Sequence, residues 1–305
     1  MKTTFSLLLL FAHGLLQAQE MKVTSGFVQR FENFKSEFVD ARNVDVWLPK
    51  GYNTAEKYAV IYMHDGQMLF DANTTWNKQA WEVDEVAGKL NAEGKVKKFI
   101  VVGIWNIAAK RHPEYFPQKP YESLTAVQKD TVTAQLQKAG RTKEVFKPYS
   151  DLYLKFLVTE LKPFIDKRFA TAPDKDNTFI AGSSMGGLIS LYAICEYPQV
   201  FGAAACISTH WPGIFAVENN PIPDAFYAYM RKQLPDPKTH RIYFDYGDQT
   251  LDALYPPLQK RADAVMTEKG FTAAHWTTQF FPGKNHSEEA WSERLNIPME
   301  FLLRK

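Results

Sequence analysis

Gly182-Ser183-Ser184-Met185-Gly186-Gly187 is the stretch on which the reading of this chain turns. Upstream, Asn177-Thr178-Phe179-Ile180-Ala181 has the character of a short buried strand, and downstream Leu188-Ile189-Ser190-Leu191-Tyr192-Ala193 reads as a helix. A strand that turns at once into a helix forces the residue between them into strained backbone angles. A side chain at either flanking position would clash across the turn, so glycine or a small residue is required there. In that setting the Gly-x-Ser-x-Gly spacing lifts a serine hydroxyl to the top of a sheet. The N–H of Met185, at the helix start, would face a developing negative charge. Ser184 is therefore read as a nucleophile; a glycine-rich turn before an ordinary packed helix is the competing reading.

Outward from this point, apolar patterning alternates between strand and helix. Residues 20–50 alternate in the manner of an antiparallel β-rich entry. Residues 58–63 and 99–104 are continuous apolar runs, as in strands buried on both faces. Residues 81–90 read as an amphipathic helix, 153–169 as a strong helix, 203–207 and 241–246 as strands, and 256–269 as a helix. A last strand at 275–281 and a last helix at 290–303 follow. This order predicts an α/β fold with a mostly parallel sheet covered on both faces. Two stretches break the rhythm. Residues 108–150 carry four prolines and one helical segment at 124–138, too long for an ordinary loop, and read as a cap beside the site. Residues 209–236 are a second insertion, rich in aromatics.

The chain has 305 residues, 45% hydrophobic, with a net charge of +2. That suffices for a large core in a single domain over 20–305. No long basic run points to nucleic acid. At the N-terminus, Lys2 precedes a short apolar stretch and Leu16-Gln17-Ala18 offers a cleavage site, so 1–19 is expected to be a signal peptide, and the mature protein periplasmic or secreted. The apolar stretch is too short for a membrane span. Cys195 and Cys206 read as buried hydrophobes. The histidines lack metal-ligand spacing, so neither a metal nor an organic cofactor is expected.

A serine nucleophile needs a base, and the base an orienting carboxylate. His286 follows Pro282-Gly283-Lys284-Asn285 at the end of the last strand and is the candidate base; His275 and His240 fit structural roles better. The carboxylate comes from Gly247-Asp248-Gln249-Thr250-Leu251-Asp252, where spacing does not choose between Asp252 and Asp248. A second oxyanion donor is expected after the strand ending at Met63, where Gly66 permits close backbone approach and the Gln67 N–H is the candidate. His64 and His210 are candidate pocket liners. Trp76, Trp105, Tyr115, Phe116 and Trp211 are candidates for an aromatic pocket wall, with packing inside the insertions as the rival reading.

Taken together, His64-Asp65-Gly66-Gln67, Trp76-Asn77 with Trp81, Gly103-Ile104-Trp105-Asn106 with Arg111 and Glu114-Tyr115-Phe116-Pro117, the serine turn, and His286 with Trp291 resemble the putative-esterase branch of the α/β-hydrolase superfamily. That branch includes enterobactin-type siderophore esterases, feruloyl esterases, S-formylglutathione hydrolase and the antigen 85 mycolyltransferases. The resemblance covers roughly 44–302. It implies Met185 and Gln67 as the oxyanion donors. It favours Asp252 as the acid, because relatives tend to carry Gly-Thr-x-Thr-Leu-Asp where this chain has Asp248 in place of the Thr. It also implies a substrate-binding role for Arg111.

The function expected from these residues is serine ester hydrolysis through a covalent acyl-enzyme. The expected substrates are feruloyl or acetyl esters on carbohydrate, or siderophore-type esters. An acyltransferase with the same triad, a peptidase and a non-catalytic glycan-binding protein are the alternatives.

Overall fold

The computed structural model describes residues 21–215 and 218–305, so the expected signal peptide lies outside the described residues. The chain opens with strands β1 (Phe27–Phe34), β2 (Arg42–Leu48) and β3 (Ala59–His64), helix α1 (Val83–Glu93) and strand β4 (Phe99–Ile104). Helices α2 (Arg111–Tyr115), α3 (Gln118–Glu122), α4 (Ala126–Lys138), α5 (Ser150–Phe156) and α6 (Lys162–Arg168) precede β5 (Thr178–Ser183). There follow α7 (Met185–Glu196), β6 (Ala203–Ile207), α8 (Ile222–Gln233), β7 (Arg241–Tyr246), α9 (Tyr255–Glu268) and β8 (Trp276–Phe280), then α10 (Glu288–Ser292) and α11 (Asn296–Leu303).

The strands form one eight-stranded sheet in the order β1-β2-β4-β3-β5-β6-β7-β8. β1 pairs antiparallel with β2 and β2 with β4, and the remaining neighbours run parallel. Parallel neighbours need crossovers, and the helices supply them on both faces. β3 shows why: all its residues are buried, with Val60 and Tyr62 in one apolar layer and Ala59, Ile61 and Met63 in the other. The first layer is completed by helices α5 to α9, the second by Val83, Ala87 and Leu90 of α1 and Met299, Leu302 and Leu303 of α11. α7 is buried from Met185 to Cys195, as its all-round apolar sequence requires.

Three segments differ from the sequence reading. The 108–150 stretch holds three helices instead of one, and Tyr115, Phe116, Tyr121 and Phe146 bury their rings in the main core. Its helix α2 is tied to β2 by a buried bidentate pair, Arg42 to Glu114, at 2.7 and 2.8 Å. The 209–236 stretch contains α8, whose Ile222, Phe226, Tyr227 and Met230 face the core. The expected last helix is two, α10 and α11. Both cysteines are free and buried. Among the described residues no helix is long and apolar enough to cross a membrane.

Candidate active site

The site gathers where the parallel strands end at their carboxyl edges, beginning at β3 and β5. There the strand order reverses, since the connection from β3 goes one way to β4 and the later strands lie the other way. Ser184 follows β5 with φ 58° and ψ −120°. That strained turn is possible because a Cβ at Gly182 would come 2.8 Å from the Gly186 backbone. Ser184 is pinned by its own backbone: its N–H donates to Ile207 O, and its carbonyl accepts from Gly187, Leu188 and His210. The Met185 N–H occupies the first turn of α7, where helix geometry leaves donors without an intrahelical acceptor.

Gln67 follows β3 in a short 3-10 turn opened by Asp65 at φ 58°. A Cβ on Gly66 would come 2.6 Å from the Gly103 backbone, so this loop lies directly on the end of β4. Asp65 locks it there. Its carboxylate accepts Arg111 Nε at 2.8 Å and Nη2 at 2.7 Å, and Asn106 Nδ2 at 2.6 Å. Burial would raise the Asp65 pKa, but these partners outweigh it and hold the carboxyl below its ordinary value. Gln67 Oε1 accepts the Asn106 N–H at 3.1 Å. Arg111, expected at the substrate, thus spends two of its three guanidinium nitrogens on the loop that presents the Gln67 N–H.

The β7 and β8 loops bring Asp252 and His286 together, with Nδ1 and Oδ1 2.5 Å apart. Asp252 is fully buried. Its Oδ2 accepts the Ser208 hydroxyl and the Gly247 N–H, each at 2.7 Å. Burial would raise its pKa, and the contacts with His286, Ser208 and Gly247 more than reverse that. Asp248 does other work: its Oδ1 accepts the Gly283 N–H at 2.8 Å, holding the turn that leads to His286. The His286 ring sits between Trp291 and Tyr255, with centroids 4.9 and 5.8 Å away and both edge-on. Ser184 is reached through Tyr255. Burial pushes that phenol well up, and the Ser184 hydroxyl beside it works the other way. Among the described residues no hydrogen bond joins Ser184 Oγ to His286; such contacts are often loose before substrate binds.

Behind Asp252 lies a buried network that the sequence reading missed. Ser208 Oγ donates to Asp252 and accepts Trp291 Nε1 and Arg294 Nη2, each at 3.0 Å. Arg294 is paired with buried Asp245 at 3.0 and 3.2 Å. Nothing local signals this network, because Ser208 and Arg294 are 86 positions apart in the chain.

The proposed pocket liners divide. His210 joins the site: its Nδ1 meets the Tyr255 hydroxyl at 2.9 Å, and burial sets its pKa well below the ordinary value. Trp211 does not. It is wholly buried, donates to Gln259 at 2.8 Å and packs on Tyr227 and Phe244, so it belongs to the core. Trp105 is held at the antiparallel side, its N–H on Asp45 at 2.7 Å and the Arg30 guanidinium 4.6 Å from its ring centroid. No described contact brings it to Ser184 or His286. Tyr115 and Phe116 are core residues, whereas Trp76 is 84% exposed. His64 is buried with Nδ1 on the Tyr153 hydroxyl at 2.9 Å, and burial drives its pKa down to about 3.

Among curated proteins, the chain is 26% identical over 245 residues to an endo-1,4-beta-xylanase/feruloyl esterase of Xylanibacter ruminicola. That match covers 76% of this chain but only 26% of the relative, about a quarter of its length. The fold resembles that of a ferulic acid esterase from the anaerobic fungus Anaeromyces mucronatus, with TM-score 0.61, 18% identity and 93% of each chain covered. It also resembles the enterobactin esterase of Shigella flexneri, with TM-score 0.64, 15% identity, and 92% of this chain and 60% of that one covered. Residues 36–298, most of the chain, match the family described as "Putative esterase". The chain is a member of that esterase family, built on an α/β-hydrolase-type sheet.

Proposed function

We propose that the protein is an exported serine carboxylic-ester hydrolase, one domain over 20–305 with two insertions, working through a covalent acyl-enzyme. The observation that carries this reading is the contact of buried Asp252 with His286, 2.5 Å apart, at the same sheet edge as the strained Ser184 turn. His286 takes the Ser184 proton as Oγ attacks the ester carbonyl. The Met185 and Gln67 N–H groups hold the oxyanion in a site where preorganised donors are worth most. His286 then gives the proton to the leaving alcohol and, in the second half, takes one from the water that attacks the acyl carbon and returns it to Ser184 Oγ as the acid leaves. Asp252 fixes the imidazole tautomer and stabilises its charged form.

The substrates we favour are feruloyl or acetyl esters on carbohydrate, or siderophore-type esters, in keeping with relatives whose names carry feruloyl and enterobactin esterase. The test is a turnover panel with 4-nitrophenyl acetate and butyrate, methyl ferulate, acetylated xylan and a trilactone catecholate siderophore, each run beside Ser184→Ala. Turnover that disappears in the variant supports the serine mechanism. Turnover that survives overturns it, and activity only with an added alcohol acceptor would make the protein an acyltransferase.

A further inference from the structure

We infer that the two insertions build an anion-reading subsite over the nucleophile, made by Arg141, Phe215 and His210, and that it selects esters whose acyl group is flat and ends in a carboxylate. The inference rests on the serine-esterase reading for which bond is cleaved, but its own evidence is separate. Arg141 comes from the first insertion and Phe215 from the second, and the guanidinium carbon lies 5.3 Å from the Phe215 ring centroid. Phe215 is 44% exposed, so part of its ring is open to a planar guest. Its ring stands 5.7 Å from that of His210. His210 in turn bonds Tyr255, which touches both Ser184 and His286. A short line of contacts therefore runs from Arg141 to the nucleophile.

Two features of this line call for a ligand. Buried His210 has an Nε2 with no hydrogen-bond partner. A buried polar nitrogen without a partner is costly, and a bound oxygen would satisfy it. Among the described residues the Arg141 guanidinium has no ion pair or hydrogen bond, only the ring of Phe215. The neighbouring Arg111 is already matched by Asp65. Among the described residues the site is thus left with the unpaired Arg141 cation, the neutral His210 imidazole and a partly exposed aromatic ring. A planar acyl group stacked on Phe215 would extend its far end toward Arg141, where a carboxylate gains a charge-assisted bond.

The test compares two esters that differ at one position: the 4-nitrophenyl monoester of terephthalate and 4-nitrophenyl 4-methylbenzoate. Wild-type kcat/KM is expected to favour the carboxylate by about tenfold or more, the range for a hydrogen bond to a charged group. Arg141→Gln, at an exposed position, should bring the ratio close to one, and about 0.5 M salt should shrink it in the wild type. Titration calorimetry with free terephthalate gives a second readout that needs no turnover, with binding expected to weaken about tenfold in Arg141→Gln. A wild type that prefers the methyl ester, or a preference that persists in Arg141→Gln, overturns the inference. Terephthalate binding that depends on Arg141 in a protein without ester turnover would keep the subsite and overturn the esterase reading instead.

Discussion

The Asp252 carboxylate lies 2.5 Å from His286 Nδ1, while neighbouring Asp248 gives its Oδ1 to the Gly283 N–H. The two acids on one loop therefore have separable consequences. Asp252→Asn should lower kcat by about 10³- to 10⁴-fold, because an amide holds the imidazole in the wrong tautomer. Asp248→Asn keeps an acceptor oxygen for Gly283 and should cost much less. Steady-state kinetics on one activated ester settles it, and equal losses in both variants would refute the division of labour.

Ser208 is expected to act through Asp252. Removing its hydroxyl leaves Trp291 Nε1, and one of the bonds of Arg294 Nη2, without an acceptor. Leaving such a buried donor unmet costs about 1–3 kcal/mol. Ser208→Ala should therefore lower the melting temperature and reduce kcat together. A variant with full kcat and a lowered Tm would make Ser208 a purely structural residue.

Arg111 offers a choice between two roles with different kinetic signatures. If it positions the Gln67 loop through Asp65, as its two bonds indicate, Arg111→Met should reduce kcat by about a hundredfold, the scale of a displaced oxyanion donor, with KM little changed. A residue that binds the acyl group would raise KM instead. Arg111→Lys keeps the charge but loses the planar fork, and should fall between the wild type and Arg111→Met.

The helix α1 start makes the folded protein sensitive to pH. Asp84 accepts the Thr24 N–H at 2.6 Å and the Ser25 N–H at 3.3 Å. Beside it, burial and the hydrogen bond with Asp84 raise the Glu85 pKa from 4.5 to about 7. In that window the folded state holds the proton more tightly than the unfolded chain, so stability is greatest below about pH 4.5 for this group and declines as pH rises to about 7. Urea midpoints at about pH 5 and about pH 8 should differ in that direction for the wild type. Glu85→Gln should flatten the difference, and an unchanged slope in that variant would assign the effect elsewhere.

How much of this was legible depended on whether the signal was local. β3 and β4 announce themselves as continuous apolar runs because both of their faces are covered, and the Ser184 turn is visible because its glycines are sterically required within a few residues. Helices α2 and α3 are five residues each, with Pro113 and Pro120 inside them, too short for a helical period to register. α8 did carry a period, at Ile222, Phe226 and Met230, hidden among the aromatics of its insertion. Sequence alone does not place Trp211, because an aromatic beside a site looks the same in sequence whether it faces the pocket or the core. The choice between Asp252 and Asp248, and the Ser208–Arg294 network, depend on contacts across strands that spacing does not encode.

The last prediction concerns what holds the first insertion in place. Helix α2 is anchored at two points, Arg111 to Asp65 beside the Gln67 loop and Glu114 to Arg42 on β2. The second pair is almost completely buried, and Arg42 lies 5.3 and 5.4 Å from the Tyr153 and Phe156 ring centroids. Breaking such a pair from one side leaves an uncompensated buried charge and costs about 3–5 kcal/mol, while replacing both partners with apolar residues of similar size is often close to neutral. Glu114→Leu should therefore lower the denaturant midpoint sharply, and Arg42→Met combined with Glu114→Leu should recover most of it. Because α2 also carries Arg111, the single variant should lose kcat along with stability, and the double variant should regain both. A single variant as stable as the wild type would mean that the pair does not anchor the insertion. Stability recovered without kcat would mean that the charge itself, and not only the anchorage, sets the geometry of the Gln67 loop.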